Sequence, residues 1–241
     1  MRLLWTADEA LPPVFEALFE VMAPGTVPDQ DELHLRYGDG VLRLCRGADL
    51  RGVHVRREDI QKRLKGDFML GRACAGSTRH GLRILDAMAG LGTDGLALAL
   101  RGHRVTLVER NPVLWALLSD LLQRMDVPDL VLQLGDCRTL LESPDALSTP
   151  YDVIYLDPMF PQRSKRALPG KPMQYVTQLL GEDAENGDQP DLEALRALIQ
   201  SARNVAGSHV VLKRRRTDPV VGTPDWQLKG RSVRYDMFRR L

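Results

Sequence analysis

An α/β fold, with a mostly parallel sheet covered by helices on both faces, is what this sequence predicts from residue 66 onward. Three observations carry the prediction. Short Val/Ile/Leu-rich runs at 82–87, 104–109, 130–135, 151–157 and 209–213 are separated by stretches long enough for helices, and strands buried on both faces read as such apolar runs. The first run passes directly into a glycine-rich turn, DAMAGLGTDG at 86–95, which opens a Leu/Ala-rich helix. Acids stand at the ends of two runs, Glu109 on the second and Asp157 on the fourth, where the crevice of a doubly wound sheet lies. A further run at 231–240 alternates apolar with polar residues and reads as a final antiparallel strand at or near a sheet edge.

Residues 1–65 read as a separate small α+β segment, with 66–241 as the main domain. An amphipathic stretch at 14–22 follows Pro12 and Pro13, as a helix started by proline would. The alternating runs LHLRY at 33–37 and VLRLC at 41–45 flank Gly38-Asp39-Gly40, a β-hairpin signal. The stretch 56–72, rich in Arg and Lys with spaced apolar residues, reads as a basic helix and connector. Acidic 181–190 reads as a surface loop before a helix from about Asp191.

With 241 residues, 44% hydrophobic and 27% charged, the chain can bury one full core. It has no apolar run long enough to span a bilayer, and its first residues, MRLLWTADEA, lack a signal-peptide core. The expected location is the cytoplasm, with no membrane or metal partner and a monomeric state. Cys45, Cys74 and Cys137 are far apart and without Cys-x-x-Cys spacing, so they read as reduced thiols. The five histidines have neither metal-ligand spacing nor a nucleophile beside them. The net charge of +1 is unevenly spread. Residues 51–80 hold eight Lys and Arg against three acids, 161–180 four against none, and 201–241 ten against three. Such segregation is the footprint of a phosphate-contacting face.

The chemistry-bearing residues follow the strands. Glycines at 90, 92 and 95 let the backbone turn tightly beneath a ligand at a helix N-terminus, and they also satisfy the dinucleotide pattern G-x-G-x-x-G. Glu109 stands where an acid accepts ribose hydroxyls, a position common to dehydrogenases and methyltransferases. Asp136-Cys137 follows the third run, where a carboxylate or backbone amide would hold an adenine amino group. The discriminating sequence is Asp157-Pro158-Met159-Phe160-Pro161, close to the Asp/Asn-Pro-Pro-aromatic signature of amino-group methyltransferases. An exocyclic amine is a poor nucleophile because its lone pair is delocalised. The Asp157 carboxylate and the Pro158 carbonyl would accept its two N–H bonds and favour a pyramidal nitrogen, while Phe160 offers a surface for base stacking. Arg163, Lys165, Arg166 and Lys171 follow, and Lys213-Arg214-Arg215-Arg216 closes the fifth run, both placed to contact nucleic-acid phosphates.

Together, LDAMAGLGTD at 85–94, VERNPV at 108–113 and YLDPMFP at 155–161 resemble the small-subunit (16S) ribosomal RNA guanine-N2 methyltransferase J family. The resemblance runs from about Phe68 to the C-terminus, and in that family Met at the third position of the Asp-Pro motif is normal. It implies a Rossmann-like class I methyltransferase with a seven-stranded sheet and S-adenosylmethionine as cofactor. The cofactor contacts it implies are Asp86, Gly90, Gly92, Thr93, Asp94, Glu109, Arg110, Asp136, Cys137 and Asp157, and the partner is small-subunit ribosomal RNA or the small ribosomal subunit. Two other readings compete. A nicotinamide-dependent oxidoreductase explains the glycines and Glu109 but not 157–161, and a non-catalytic RNA-binding module gives no chemical reason to retain both Glu109 and Asp157.

Overall fold

The computed structural model describes the chain except for residues 7–9, 24, 66–67, 77–79, 144–150, 159–170 and 182–191, and for 171–173 it describes the backbone alone. Two compact units emerge, neither contiguous in sequence: Met1–Arg56 with Pro112–Met125 and 161–188, and Arg57–Asn111 with 126–160 and 189–241.

The first unit is built on a four-stranded sheet of order β2-β1-β3-β4, from β1 (Arg2–Trp5), β2 (Glu20–Met22), β3 (Leu33–Gly38) and β4 (Val41–Arg46). The expected hairpin is present as β3–β4, and its two-residue turn, Asp39 at φ 54° and Gly40 at φ 70°, has the left-handed pair that a type I′ turn requires. The helix expected over 14–22 is shorter. Helix α1 (Pro13–Leu18) stops where Phe19 turns extended, and residues 20–22 pair in parallel with β1, Leu3 opposite Val21. Strand pairing outweighs helix periodicity there because it satisfies backbone groups along β1 on both sides. Strand β1 was not anticipated. Trp5 stacks on Tyr37 at 4.1 Å, and Phe15 meets Trp5, Phe19 and Trp115 edge-on. Trp115 comes from α5 (Pro112–Gln123), and Tyr175 of α7 (Lys171–Gly181) donates to Asp49.

The second unit holds the predicted α/β sheet. Its strands are β5 (Arg83–Asp86), β6 (Arg104–Glu109), β7 (Leu130–Leu134), β8 (Val153–Leu156), β9 (His209–Arg215), β10 (Trp226–Lys229) and β11 (Val233–Arg239). They lie in the order β7-β6-β5-β8-β9-β11-β10. Strands β5 to β9 run parallel, β11 is antiparallel to β9, and β10, absent from the sequence reading, takes the edge. The chain therefore builds outward from β5 through β6 to β7, then returns to β8 on the other side. Between β5 and β8 lies the switch point at which ligands bind in open α/β sheets.

Period-two alternation divides this sheet into two faces. Leu85, Val108, Ile154, Leu156, Val210 and Leu212 pack in one core with Leu141 of α6 (Cys137–Glu142) and with Leu195, Leu198 and Ile199 of α8 (Leu192–Val205). The opposite face carries Asp86, Leu107, Tyr155 and Lys213, and there α4 (Thr93–Ala99) packs against β6 and against α2 (Arg57–Leu64). The basic stretch 56–72, read as a helix and connector, yields α2 and, beyond it, the start of a second helix, α3 (Met69–Ala75). Gly95 permits the close approach of α4, since a Cβ there would lie 2.2 Å from Leu107 Cδ2 and 2.6 Å from Asp86 Oδ2. All three cysteines are buried. Among the described residues no helix is long and apolar enough to cross a membrane, and no cluster of His, Cys, Asp or Glu suits a metal ion.

Candidate functional site

The turn after β5 is pinned to both neighbouring strands: Ala87 N donates to Tyr155 O at 3.0 Å and Ala89 N to Val108 O at 2.9 Å. Gly90 (φ 56°) and Gly92 (φ 70°) adopt left-handed backbone, which costs other residues roughly 1–2 kcal/mol. Glu109 then locks the loop. Its Oε2 accepts Gly90 N and its Oε1 accepts Asn111 N, both at 2.7 Å. Burial pushes this carboxyl upward, and the amides of Asn111 and Gly90 oppose the shift.

These residues fit S-adenosylmethionine. A Cβ built on Gly90 meets nothing within 4 Å, so the space over the loop is open. Each carboxylate oxygen has two lone pairs, and each Glu109 oxygen spends one on an amide, leaving capacity for ribose hydroxyls. Thr93 is half-buried at the first turn of α4, and Arg110 is exposed directly after Glu109. Asp136 caps α6, its Oδ1 accepting Arg138 N at 2.8 Å, and retains acceptor capacity at the end of β7. Cys137 differs from expectation: its side chain is 5% exposed in the core against α8, and burial pushes its thiol up to about 11. Its backbone is all it can offer a ligand. Asp86 likewise is 1% exposed beneath α4. Burial, with Asp94 and Asp157 nearby, raises it well above the carboxylate range, so its carboxyl is withdrawn from solvent.

On the same face lies a network of charges. Asp94 accepts Arg63 Nε at 2.6 Å on Oδ1, and Lys213 Nζ and the Tyr155 hydroxyl, each at 2.8 Å, on Oδ2. Lys213 Nζ also donates to Asp157 Oδ2 at 2.7 Å. Burial by itself would raise Asp94, but Lys213 and then Arg63 overcome it and hold the carboxyl down at about 2. The Asp94 side chain, expected at the cofactor, is therefore committed to the protein. Asp157 stands at the end of β8 with 32% of its side chain exposed, the outermost carboxylate of the group.

The expected phosphate contacts divide. Lys213 points inward, and Arg214 is 2% exposed, near Asp218. Alternation along β9 sends these neighbours to opposite faces, and both faces are covered. Neither side chain is presented to an RNA backbone. Phe160, Arg163, Lys165 and Arg166 lie outside the described residues, as does the Lys171 side chain. Two members of the charge network were missed in the sequence. Tyr155 was legible, being two positions before Asp157 in a strand and hence on its face; Arg63, thirty-one residues before Asp94, carried no such signal.

Comparison with known proteins bears on this arrangement. The SAM-dependent methyltransferase family model SAM_MT matches residues 31–240. Ribosomal RNA small subunit methyltransferase J of Alkalilimnicola ehrlichii is 38% identical over 212 residues, covering 84% of this chain and 75% of that protein. The protein of the same name from Pseudomonas aeruginosa is 41% identical over 166 residues, 65% of this chain and 59% of that protein, so the chain spans less than two thirds of that relative. A SAM-dependent methyltransferase from Neisseria gonorrhoeae shares the fold, with a TM-score of 0.74 at 24% identity over 100% of this chain and 96% of that one. With a family match over nearly its whole length and 38% identity across most of both chains, the protein belongs to the SAM-dependent methyltransferases, in the ribosomal RNA small subunit methyltransferase J family.

Proposed function

We propose that this protein transfers a methyl group from S-adenosylmethionine to the exocyclic N2 amine of a guanosine in small-subunit ribosomal RNA. The observation that carries the reading is the placement of the Asp157 carboxylate at the switch point, partly exposed and anchored by Lys213 at 2.7 Å, on the sheet whose neighbouring strand ends bear the glycine loop and Glu109. The names of the relatives support ribosomal RNA as substrate, and the resemblance of YLDPMFP supports guanine N2.

When bound, S-adenosylmethionine supplies an electrophilic methyl group on a sulfonium centre. The loop at 90–92, Glu109, Arg110 and Asp136 would hold it. Asp157 and the Pro158 carbonyl accept the two N–H bonds of the target amine and localise its lone pair, and Phe160 stacks on the base. Transfer is direct, without a covalent enzyme intermediate. Burial raises the Cys74 and Cys137 thiols, which is opposite to what a nucleophilic cysteine needs. The chemistry is assigned to the 66–241 segment. Arg163, Lys165, Arg166 and Lys171 form the proposed RNA surface.

Incubation with labelled S-adenosylmethionine and small-subunit RNA or subunits lacking the modification, followed by nucleoside analysis, tests the reading: label is expected in N2-methylguanosine, and its absence from guanosine overturns the assignment. Glu109→Ala is expected to weaken S-adenosylmethionine binding by about 1.5–3 kcal/mol, roughly 10- to 100-fold, through loss of charge-assisted bonds. Calorimetric titration measures it, and unchanged affinity in a folded variant removes Glu109 from the cofactor site. Neutralising Arg163, Lys165 and Arg166 together is expected to reduce the slope of log K against log salt for RNA binding by roughly 2, since each phosphate contact contributes about 0.7–0.9. A slope equal to the wild type removes that segment from the RNA surface.

A further inference from the structure

Lys213 stands between two carboxylates at the bottom of the proposed site. The β8–β9 register sets Leu156 opposite Leu212, so the next residues along, Asp157 and Lys213, meet where β8 ends beside the continuing β9. The ammonium group donates to Asp157 Oδ2 at 2.7 Å and to Asp94 Oδ2 at 2.8 Å, and the lysine side chain is only 15% exposed. Asp94 is itself held from α2 by Arg63 and from β8 by the Tyr155 hydroxyl. The result is a run of alternating charge, Arg63–Asp94–Lys213–Asp157, anchored on two helices and two strands. Its two middle members, Asp94 and Lys213, are largely buried, while Arg63 and Asp157 at its ends are partly exposed, Asp157 at the end of β8.

The geometry points to Lys213 as a positioning residue of methyl transfer, holding the Asp157 carboxylate in one orientation and keeping it charged so that Oδ1 is left for the amine. The inference rests on the reading of Asp157 as amine acceptor. A long, flexible ammonium fixed by two carboxylates cannot serve as a phosphate contact, but it is well placed to orient a carboxylate through another. The groups facing Asp157 show why a cation is needed. From β5 comes Asp86, from α4 Asp94, from β8 Tyr155, from β11 Tyr235, from β9 Lys213 and from α2 Arg63. Of the two cations, Lys213 alone contacts Asp157 among the described residues. Without it, Asp157 would face the Asp94 carboxylate with only the more distant Arg63 to offset the repulsion. A like charge nearby disfavours ionisation.

The test compares Lys213→Met and Lys213→Arg with wild type in three measurements: the pH profile of single-turnover methylation at saturating S-adenosylmethionine, the carboxyl titration of Asp157 followed by ¹³C NMR in the cofactor-free protein, and the dissociation constant for S-adenosylmethionine. The Asp157 signal is identified by its loss in Asp157→Asn. In Lys213→Met both the acid limb of the rate profile and the Asp157 titration are expected to move to higher pH by about 1 unit or more. Cofactor affinity is expected to stay within about twofold, and Lys213→Arg to restore most of the shift, since it restores the charge. Should Lys213→Met fail to fold, Lys213→Met with Asp94→Asn removes one of the two carboxylate charges along with the lysine, and Lys213→Gln keeps a donor. An unmoved acid limb and an unmoved Asp157 titration in a folded variant overturn the inference, as does a rate loss accounted for by weaker cofactor binding. The two levels separate cleanly: near-normal turnover in Asp157→Asn sinks the amine site itself, whereas slow Asp157→Asn with an unshifted Lys213→Met sinks only the role of Lys213.

Discussion

Replacing Asp157 with asparagine is expected to lower the single-turnover rate by about 10²–10³, the usual cost of removing one preorganised electrostatic contact from a developing charge. The amide keeps the shape and one acceptor oxygen. What it loses is the negative charge that offsets the positive charge growing on the amine nitrogen as the new N–C bond forms. The effect belongs in the rate at saturating S-adenosylmethionine and not in folding, because Asp157 is the partly exposed end of the charge run, with 32% of its side chain accessible. A thermal melt within a few degrees of wild type is the control. Near-normal turnover in a folded Asp157→Asn protein would show that the end of β8 does not hold the amine.

Asp94 is expected to behave in the opposite way, with its largest effect on stability. Its carboxylate takes Arg63, Lys213 and the Tyr155 hydroxyl while only 8% exposed, and removing one partner from a buried charge group leaves the others uncompensated. Asp94→Asn should cost about 3 kcal/mol, which for a chain of this size lowers Tm by roughly 6–12 °C. The pH dependence carries a definite sign. The folded protein holds this carboxyl at about 2, below its ordinary 3.8. Asp94 therefore contributes stability that is fully present above pH 4 and is lost as pH falls from there through about 2. The stability gap between wild type and Asp94→Asn should accordingly be constant from pH 7 to about 5 and close between pH 4 and 2. Denaturant melts across that range measure it, and a gap that stays open at pH 2 would mean the carboxylate charge is not what holds α2, α4 and β9 together.

The same residue shows how far linear pattern reaches. DAMAGLGTDG marks Asp94 as part of a ligand loop, and the loop does take that form, with left-handed glycines and Glu109 closing on its amide. The carboxylate, however, faces inward to Arg63 and Lys213. KRRR at 213–216 reads as one basic cluster, yet a strand sends adjacent side chains to opposite faces, and here Lys213 and Arg214 are each covered on their own face while Arg216 is exposed. The short strands β1, β2 and β10 left no periodic signal long enough to read, since three or four residues fit several patterns equally well.

What the sequence by itself determined was therefore everything carried by local backbone preference and by unbroken apolar runs: the parallel strands, the Asp-Gly hairpin, the glycine loop and the acids at strand ends, while the resemblance of its motifs pointed to the family. Only the tertiary structure decided which charges meet. The ion pair between Arg63 and Asp94 joins α2 to α4 within the larger unit, and Lys213 faces two acids 119 and 56 residues away in the chain. The reason is physical. Period and propensity act over a few residues, whereas the pairing of buried charges is set by desolvation, which acts on whatever the folded sheet and helices bring together.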